Sequence, residues 1–352
     1  MNQQSSYRFG QYLYVTGGDK APNTILHYSP AYPKPDLQIH PAANGHLVSV
    51  TRTPYGLVAR MESSDTNTRQ IATEIQLFDH EKKIEITEDV HKKNVDTKEG
   101  VYFAFPLSMD APQFQYEIQN GVVDPSKDMY PGAGHEWFSV QHWVSAQQNG
   151  VSTTIMPLDA SLVTLGDINR GAWPDHFGQR PGNIFSYVMN NYWDTNYRAG
   201  QGGHFRFRYV ITSGPATDAT QLSQMGWEEM TPLEEDEITH QDKALDTPGP
   251  LNGNHGSFLK VDDPALVLDT WKPAEDGNGT ILRFIDLGGT ARTVTAETPL
   301  FDLQKAFQTD AVERNQAPLS LSGSHRFQIT VHSHEIVTVR LIGKDAMQAQ
   351  MQ

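Results

Sequence analysis

Cysteine is missing from all 352 residues, so no disulfide, zinc-thiolate cluster or thiol nucleophile can operate in this chain. Basic residues are the minority, 27 Lys and Arg against 42 Asp and Glu, and the formal net charge of −15 opposes phosphate backbones and anionic membrane surfaces. Nucleic-acid and membrane partners are therefore not expected. No window approaches the roughly 18 continuous apolar residues that a membrane-spanning helix requires. The polar start, Met1 to Tyr7, lacks the basic flank and apolar stretch of a secretory signal, so the chain as written is expected in the cytoplasm. A longer parent polypeptide carrying its own export signal would change that expectation.

Long helical periodicity is also missing. What recurs instead is period-two alternation between Gly, Pro, Ser and Asp punctuation, in a chain with 28 Gly, 21 Pro and 38% hydrophobic residues. His46 to Thr51, Tyr55 to Glu62, Ile71 to Phe78 and Ile84 to Val90 read as consecutive strands of an antiparallel meander. Trp137 to Val144 reads as a further strand, with Trp137, Ser139, Gln141 and Trp143 on one face and Phe138, Val140, His142 and Val144 on the other. This alternation turns His142 toward the apolar side, as a satisfied core histidine.

A composition shift predicts a domain boundary. The strand ending near Ile211 meets Ser213-Gly214-Pro215, which is expected to break the sheet, and Asp218 is placed to cap a short helix through Leu222 and Met225 that stops at Gly226. An acidic stretch follows, with Glu228, Glu229, Glu234, Glu235, Asp236, Glu237, Asp242 and Asp246, and ends at Pro248-Gly249-Pro250. It reads as a solvated connector. Leu266 to Trp271 and Ile281 to Leu287 flank Asp276-Gly277-Asn278-Gly279, residues that accept positive φ and close a hairpin. Asn278-Gly279-Thr280 matches a glycosylation sequon, which its turn role explains. Gly288-Gly289 turns the chain into Thr293 to Ala296, and Phe327 to Val331 with Glu335 to Ile342 complete a small sandwich.

The densest chemistry lies in Asn190-Asn191-Tyr192-Trp193-Asp194-Thr195-Asn196-Tyr197, which runs through Gly200-Gln201-Gly202-Gly203 into Phe205 to Tyr209. Amide, carboxylate and aromatic side chains on a strand end and a Gly-rich loop suit a polyol ligand; the same Asn and Asp residues also serve as plain turn formers. This segment resembles one in the C-terminal β-domains of bacterial α-mannosidases of glycoside hydrolase family 38. Other pieces similar to that family follow in its order: Gly100 to Leu107, Val140 to Val144, Leu165 to Ile168, Phe258-Leu259, Ile281 to Phe284 and His334 to Leu341. Together they cover nearly the whole chain.

The resemblance implies an all-β protein, with a large antiparallel supersandwich of the galactose mutarotase type over residues 1–212. An acidic linker with a short helix over 213–250 and a C-terminal β-sandwich over 251–345 complete it. It further implies a carbohydrate-engaging role on mannosides, with Trp193, Asp194, Asn196, Tyr197, Arg198 and Gln201 as substrate-binding residues. The departure is equally informative. The family carries its zinc ligands and aspartate nucleophile on an N-terminal α/β barrel, and the βαβ alternation of such a barrel is absent from the first hundred residues. Opening at Phe9 to Val15, the chain resembles the inside of the family's β-region. No cofactor is expected in this chain, and zinc is expected in the catalytic domain it lacks.

Glycoside hydrolysis uses two carboxyl groups about 5 to 5.5 Å apart in retaining enzymes. Glu136, Asp167 and Asp194 are available in the first domain, but the sequence assigns no catalytic residue. His135 and Glu136 follow the loop Tyr130 to Gly134 and, with Asp167, are candidates to line a cleft. His332 and His334 would share one strand face, a spacing that can bind zinc, although packing accounts for it. A stand-alone carbohydrate-binding module and a mutarotase-like epimerase using His and Glu are the alternatives, and a homo-oligomer stays open.

Overall fold

The computed structural model describes residues 5–17, 37–168, 174–192, 200–216, 218–234 and 256–344. The protein is all-β: a large antiparallel supersandwich followed by a smaller β-sandwich. The chain divides into two compact units, Met1–Leu222 and Ser223–Gln352.

In the first unit the strands are β1 (Gln11–Gly17), β2 (Leu37–Pro41), β3 (Ala43–Thr53), β4 (Gly56–Asp65) and β5 (Thr68–Phe78). Next come β6 (Ile84–Lys92), β7 (Glu99–Pro106), β8 (Gln113–Ile118), β9 (Gly121–Val123) and β10 (Phe138–Ser139). The last five are β11 (Val144–Gln148), β12 (Val151–Pro157), β13 (Leu162–Leu165), β14 (Asn183–Asn191) and β15 (Gly203–Pro215). They form a six-stranded sheet ordered β10-β13-β14-β7-β1-β2 and a nine-stranded sheet ordered β3-β4-β5-β6-β15-β12-β11-β8-β9. The meander expected from the alternation is β3 to β6, every neighbouring pair antiparallel.

Strand β7 is buried at every position because the six-stranded sheet is covered on both faces. Val101, Phe103 and Phe105 pack into the cluster that holds Ile86, Phe207 and Tyr209, while Tyr102 and Ala104 face Leu13, Phe185 and Tyr187. Tyr102 stacks on Tyr187 with centroids 4.2 Å apart. Each such side chain contributes roughly 1.5–3 kcal/mol through its removal from water.

Three local expectations are corrected. The stretch Trp137 to Val144 is not one strand: β10 pairs with β13 in one sheet and β11 with β12 in the other, so the chain crosses between sheets and the alternation fails. Trp143, expected opposite His142, is fully buried like it. Ser213-Gly214-Pro215 does not break the sheet, since β15 runs to Pro215 and pairs with Val151 and Ser152 of β12. Proline is tolerated there because a strand end can lack one N–H. The helix α1 (Ala219–Met230) starts as expected, with Asp218 accepting from Thr220 N at 2.8 Å, but continues through Gly226. Gly226 is buried, so it serves packing, not termination. Glu228 and Glu229 belong to this helix; residues 235–255 lie outside the described residues.

The second unit contains β16 (Lys260–Val261), β17 (Leu266–Pro273), β18 (Thr280–Asp286), β19 (Arg292–Glu297) and β20 (Asp302–Thr309). It ends with β21 (Asn315–Pro318), β22 (Leu321–Ser322), β23 (Arg326–Val331) and β24 (Ile336–Lys344). A four-stranded sheet, β16-β19-β23-β22, packs on a five-stranded one, β17-β18-β24-β20-β21. In β23 the alternation is clean: Phe327, Ile329 and Val331 point into a core shared with Phe284, Val339 and Leu341. The hairpin at Asp276 to Gly279 forms as expected, with Gly277 and Gly279 at φ 71° and 97°. Buried Arg340 holds it, donating to Asp276 Oδ1 at 2.7 Å and Asn278 O at 2.8 Å.

Candidate functional site

The polyol-type segment connects the two sheets, leaving β14 at Asn191 and entering β15 at Gly203. Trp193, Asp194, Asn196, Tyr197 and Arg198 lie outside the described residues. Its anchors are well defined. Asn191 Nδ2 donates to Val95 O at 3.3 Å and Thr97 O at 3.1 Å, and the Tyr192 hydroxyl donates to Val15 O at 3.2 Å. On the far side the loop lies so close to Asn94 that a Cβ on Gly202 would sit 2.5 Å from the Asn94 backbone N. Only glycine permits that approach. Gln201 Oε1 is buried and has no hydrogen-bond partner among the described residues.

Beneath the loop lies a buried ion pair. Lys92 Nζ donates to Glu99 Oε1 and, at 3.2 Å, to Gln201 O; Asn67 Nδ2 donates to Glu99 Oε2 at 2.8 Å. Both charged side chains are essentially inaccessible, 0% for Lys92 and 1% for Glu99. A pair so desolvated persists only because every partner is in place, and here it fixes the height of the loop through Gln201.

A second polar cluster gathers at one end of the six-stranded sheet. The Thr164 hydroxyl donates to Glu136 O at 2.6 Å and Asp167 O at 3.1 Å, tying together the loops that carry His135, Glu136 and Asp167. Arg180 locks the same corner, donating to Leu165 O and His135 O, both at 3.1 Å, while its guanidinium lies 4.2 Å from the Phe177 ring centroid. Gly166, at φ 83°, leaves room for it. Burial, with the charges of Arg180 and His176, pushes the His135 imidazole below its ordinary value. His135 Nδ1 is buried without a partner among the described residues. Burial, with the Asp167 charge, raises the Tyr7 hydroxyl. Thr164 and Arg180, neither singled out in the sequence, thus tie the backbone of the loops that carry these three residues.

A cavity of about 1110 Å³ opens on the inner face of β4, β5 and β6, with Phe9 to Tyr12 on its other side. Ile71, Ile75, Ile84 and Ile86 line it. In the same inward row of β6 as Ile84 and Ile86 lies Glu88, 1% exposed, accepting from the Thr73 hydroxyl at 2.7 Å and with Oε1 unpartnered among the described residues. Burial, opposed by the Thr73 hydrogen bond and assisted by Asp89, pushes its carboxyl up to about 8. Glu88 and Lys92 were both legible as breaks in the inward register Ile84, Ile86, Glu88, Val90, Lys92.

His142 is the core histidine it was expected to be, its Nδ1 2.8 Å from Glu117 Oε2. His332 and His334, expected on one strand face, instead occupy the turn between β23 and β24, where His334 has φ 55° and its backbone N donates to Asp286 Oδ2 at 2.8 Å. Asp286 fixes this turn together with Gly288, Gly289 and Arg292. Among the described residues no three His, Cys, Asp or Glu side chains converge as a metal-binding group.

Comparison with known proteins agrees with this architecture. Residues 265–339, within the second unit, match the model of the glycosyl hydrolases family 38 C-terminal beta sandwich domain. An α-mannosidase from Enterococcus faecalis V583 superimposes on 94% of the chain, with a TM-score of 0.64 at 13% identity. A second structure, described as a protein in the glycosyl hydrolase family 38 from Enterococcus faecalis, covers 94% with a TM-score of 0.67 at 12% identity. The chain spans only 38% and 40% of the length of these two proteins. No curated protein matches the chain. The family 38 resemblance read from the scattered strand motifs thus holds, and both units share their fold with an α-mannosidase.

Proposed function

We propose that the chain is the C-terminal, carbohydrate-engaging portion of a family 38 α-mannosidase. In this reading it supports hydrolysis of α-mannosides without supplying the zinc site or the nucleophile. The observation that carries it is the match of nearly the whole chain to an α-mannosidase of which it spans under half, joined to the family 38 domain in residues 265–339.

The sugar is held at the segment between β14 and β15. Trp193 and Tyr197 offer aromatic faces, while Asp194, Asn196, Arg198 and Gln201 offer hydrogen bonds to hydroxyls. The flanks of this segment are held by the Lys92–Glu99 pair through Gln201 and by the Asn191 and Gly202 contacts. Titration calorimetry with methyl α-mannoside tests the reading: saturable binding that Trp193→Ala weakens is expected, and no heat from the parent chain would remove it.

A further inference from the structure

On the outer face of the nine-stranded sheet, His91 of β6 and His204 of β15 are direct cross-strand partners. Their rings stack with centroids 3.9 Å apart and planes inclined by 25°. His204 is exposed and His91 half-buried, so nothing in the core requires two imidazoles here. Gln70 of β5 is the next residue in the same row, paired with His91. A groove of about 400 Å³ runs along this row, bounded by Gln70, Ala72, Asp89 and Arg206.

We propose that His91 and His204 form a two-imidazole site for a borderline transition-metal dication such as Zn²⁺, with water filling the remaining positions. Two Zn–N bonds of about 2.0–2.1 Å at a tetrahedral angle place the nitrogens roughly 3.3 Å apart with the ion in the plane of each ring, so the stacked rings, inclined by 25°, must open toward the ion by rotation about χ1 and χ2, which the exposed face allows. Imidazole suits Zn²⁺, Cu²⁺ and Ni²⁺, whereas Mg²⁺ prefers oxygen ligands and several waters. The neighbouring carboxylate, Asp89, is engaged by Arg206 at 2.8 and 3.0 Å, which leaves the two histidines as the primary donors. Arg69 and Arg206 add positive charge nearby, which limits affinity.

The position gives the ion a task. His91 immediately precedes Lys92, and His204 immediately follows Gly203, so an ion bridging them ties together the strand ends that seat the Gly200 to Gly203 turn. This is distinct from the His332 and His334 spacing, which the turn geometry separates from any strand face.

Calorimetric titration of the full chain with Zn²⁺ in a non-chelating buffer tests the site. One ion per chain is expected, with affinity reduced at least tenfold in His91→Ala and in His204→Ala, and unchanged in the double variant His332→Ala, His334→Ala. Mg²⁺ should give no saturable heat. Thermal melts provide a second reading: Zn²⁺ raises the melting temperature of the parent and not of His204→Gln, which keeps a long polar side chain on the exposed face. No saturable Zn²⁺ binding by the parent, or binding that survives loss of both His91 and His204, overturns the proposal.

Discussion

Replacing Glu88 by Gln should change how stability depends on pH, because the carboxyl sits in the core with one hydrogen bond and an unpartnered oxygen. Its environment is set by Thr73 across β5, Phe207 opposite on β15, Tyr209 and Ile86 in the same core, and Asp89 next in sequence. Raising the carboxyl from 4.5 to about 8 costs on the order of 5 kcal/mol at about 1.4 kcal/mol per tenfold change in proton affinity. The sign follows from which state holds the proton. Between pH 4.5 and 8 the unfolded chain releases it while the folded chain keeps it, so stability falls as pH rises through that window and levels off above pH 8. Glutamine cannot ionise. It retains an acceptor for Thr73 but buries an amide N–H₂ whose lost hydration costs about 1–3 kcal/mol at every pH. Urea melts of parent and variant at pH 5, 7 and 9 read the difference directly, and other titrating groups cancel. The variant should be the less stable at pH 5 and should gain roughly 3–5 kcal/mol relative to the parent by pH 9. A stability difference that stays constant across this range would refute the reasoning.

Other outcomes follow from the same structure. Lys92→Met leaves Glu99 buried without its cation and should destabilise the fold by about 3–5 kcal/mol in urea melts, whereas replacing both partners with apolar residues of similar volume should cost much less. Trp193→Ala should weaken mannoside binding in calorimetry while leaving the melting temperature of the chain unchanged. The purified chain should not hydrolyse an aryl α-mannoside, with or without added zinc; turnover abolished by Asp194→Asn would contradict that.

Much of the fold was legible because alternation reports a half-buried strand directly. β3 to β6 and the β17–β18 hairpin appear in the sequence as apolar residues at period two, separated by residues that accept positive φ. Trp137 to Val144 misled for a physical reason: alternation continued across a crossover, and local pattern cannot tell one strand from two that belong to different sheets. Gly226 misled because glycine also appears where helices need close packing. The candidate site was legible only in part. His135, Glu136 and Asp167 were visible as chemistry on loops, but what ties those loops together is Thr164 and Arg180, about 45 residues from His135 in the chain. Glu88 and Lys92 were visible as polar residues in an inward register, yet their partners Thr73 and Glu99 are set by strand pairing and by the turn after β6.

In the proposed role, these β-sheets grip a mannoside while leaving its cleavage to residues elsewhere. Titration calorimetry of the intact chain with methyl α-mannoside, with methyl α-galactoside as the comparison, tests it most directly. Saturable one-site binding that favours the mannoside is predicted; absence of binding, or equal binding of both sugars, would contradict the account.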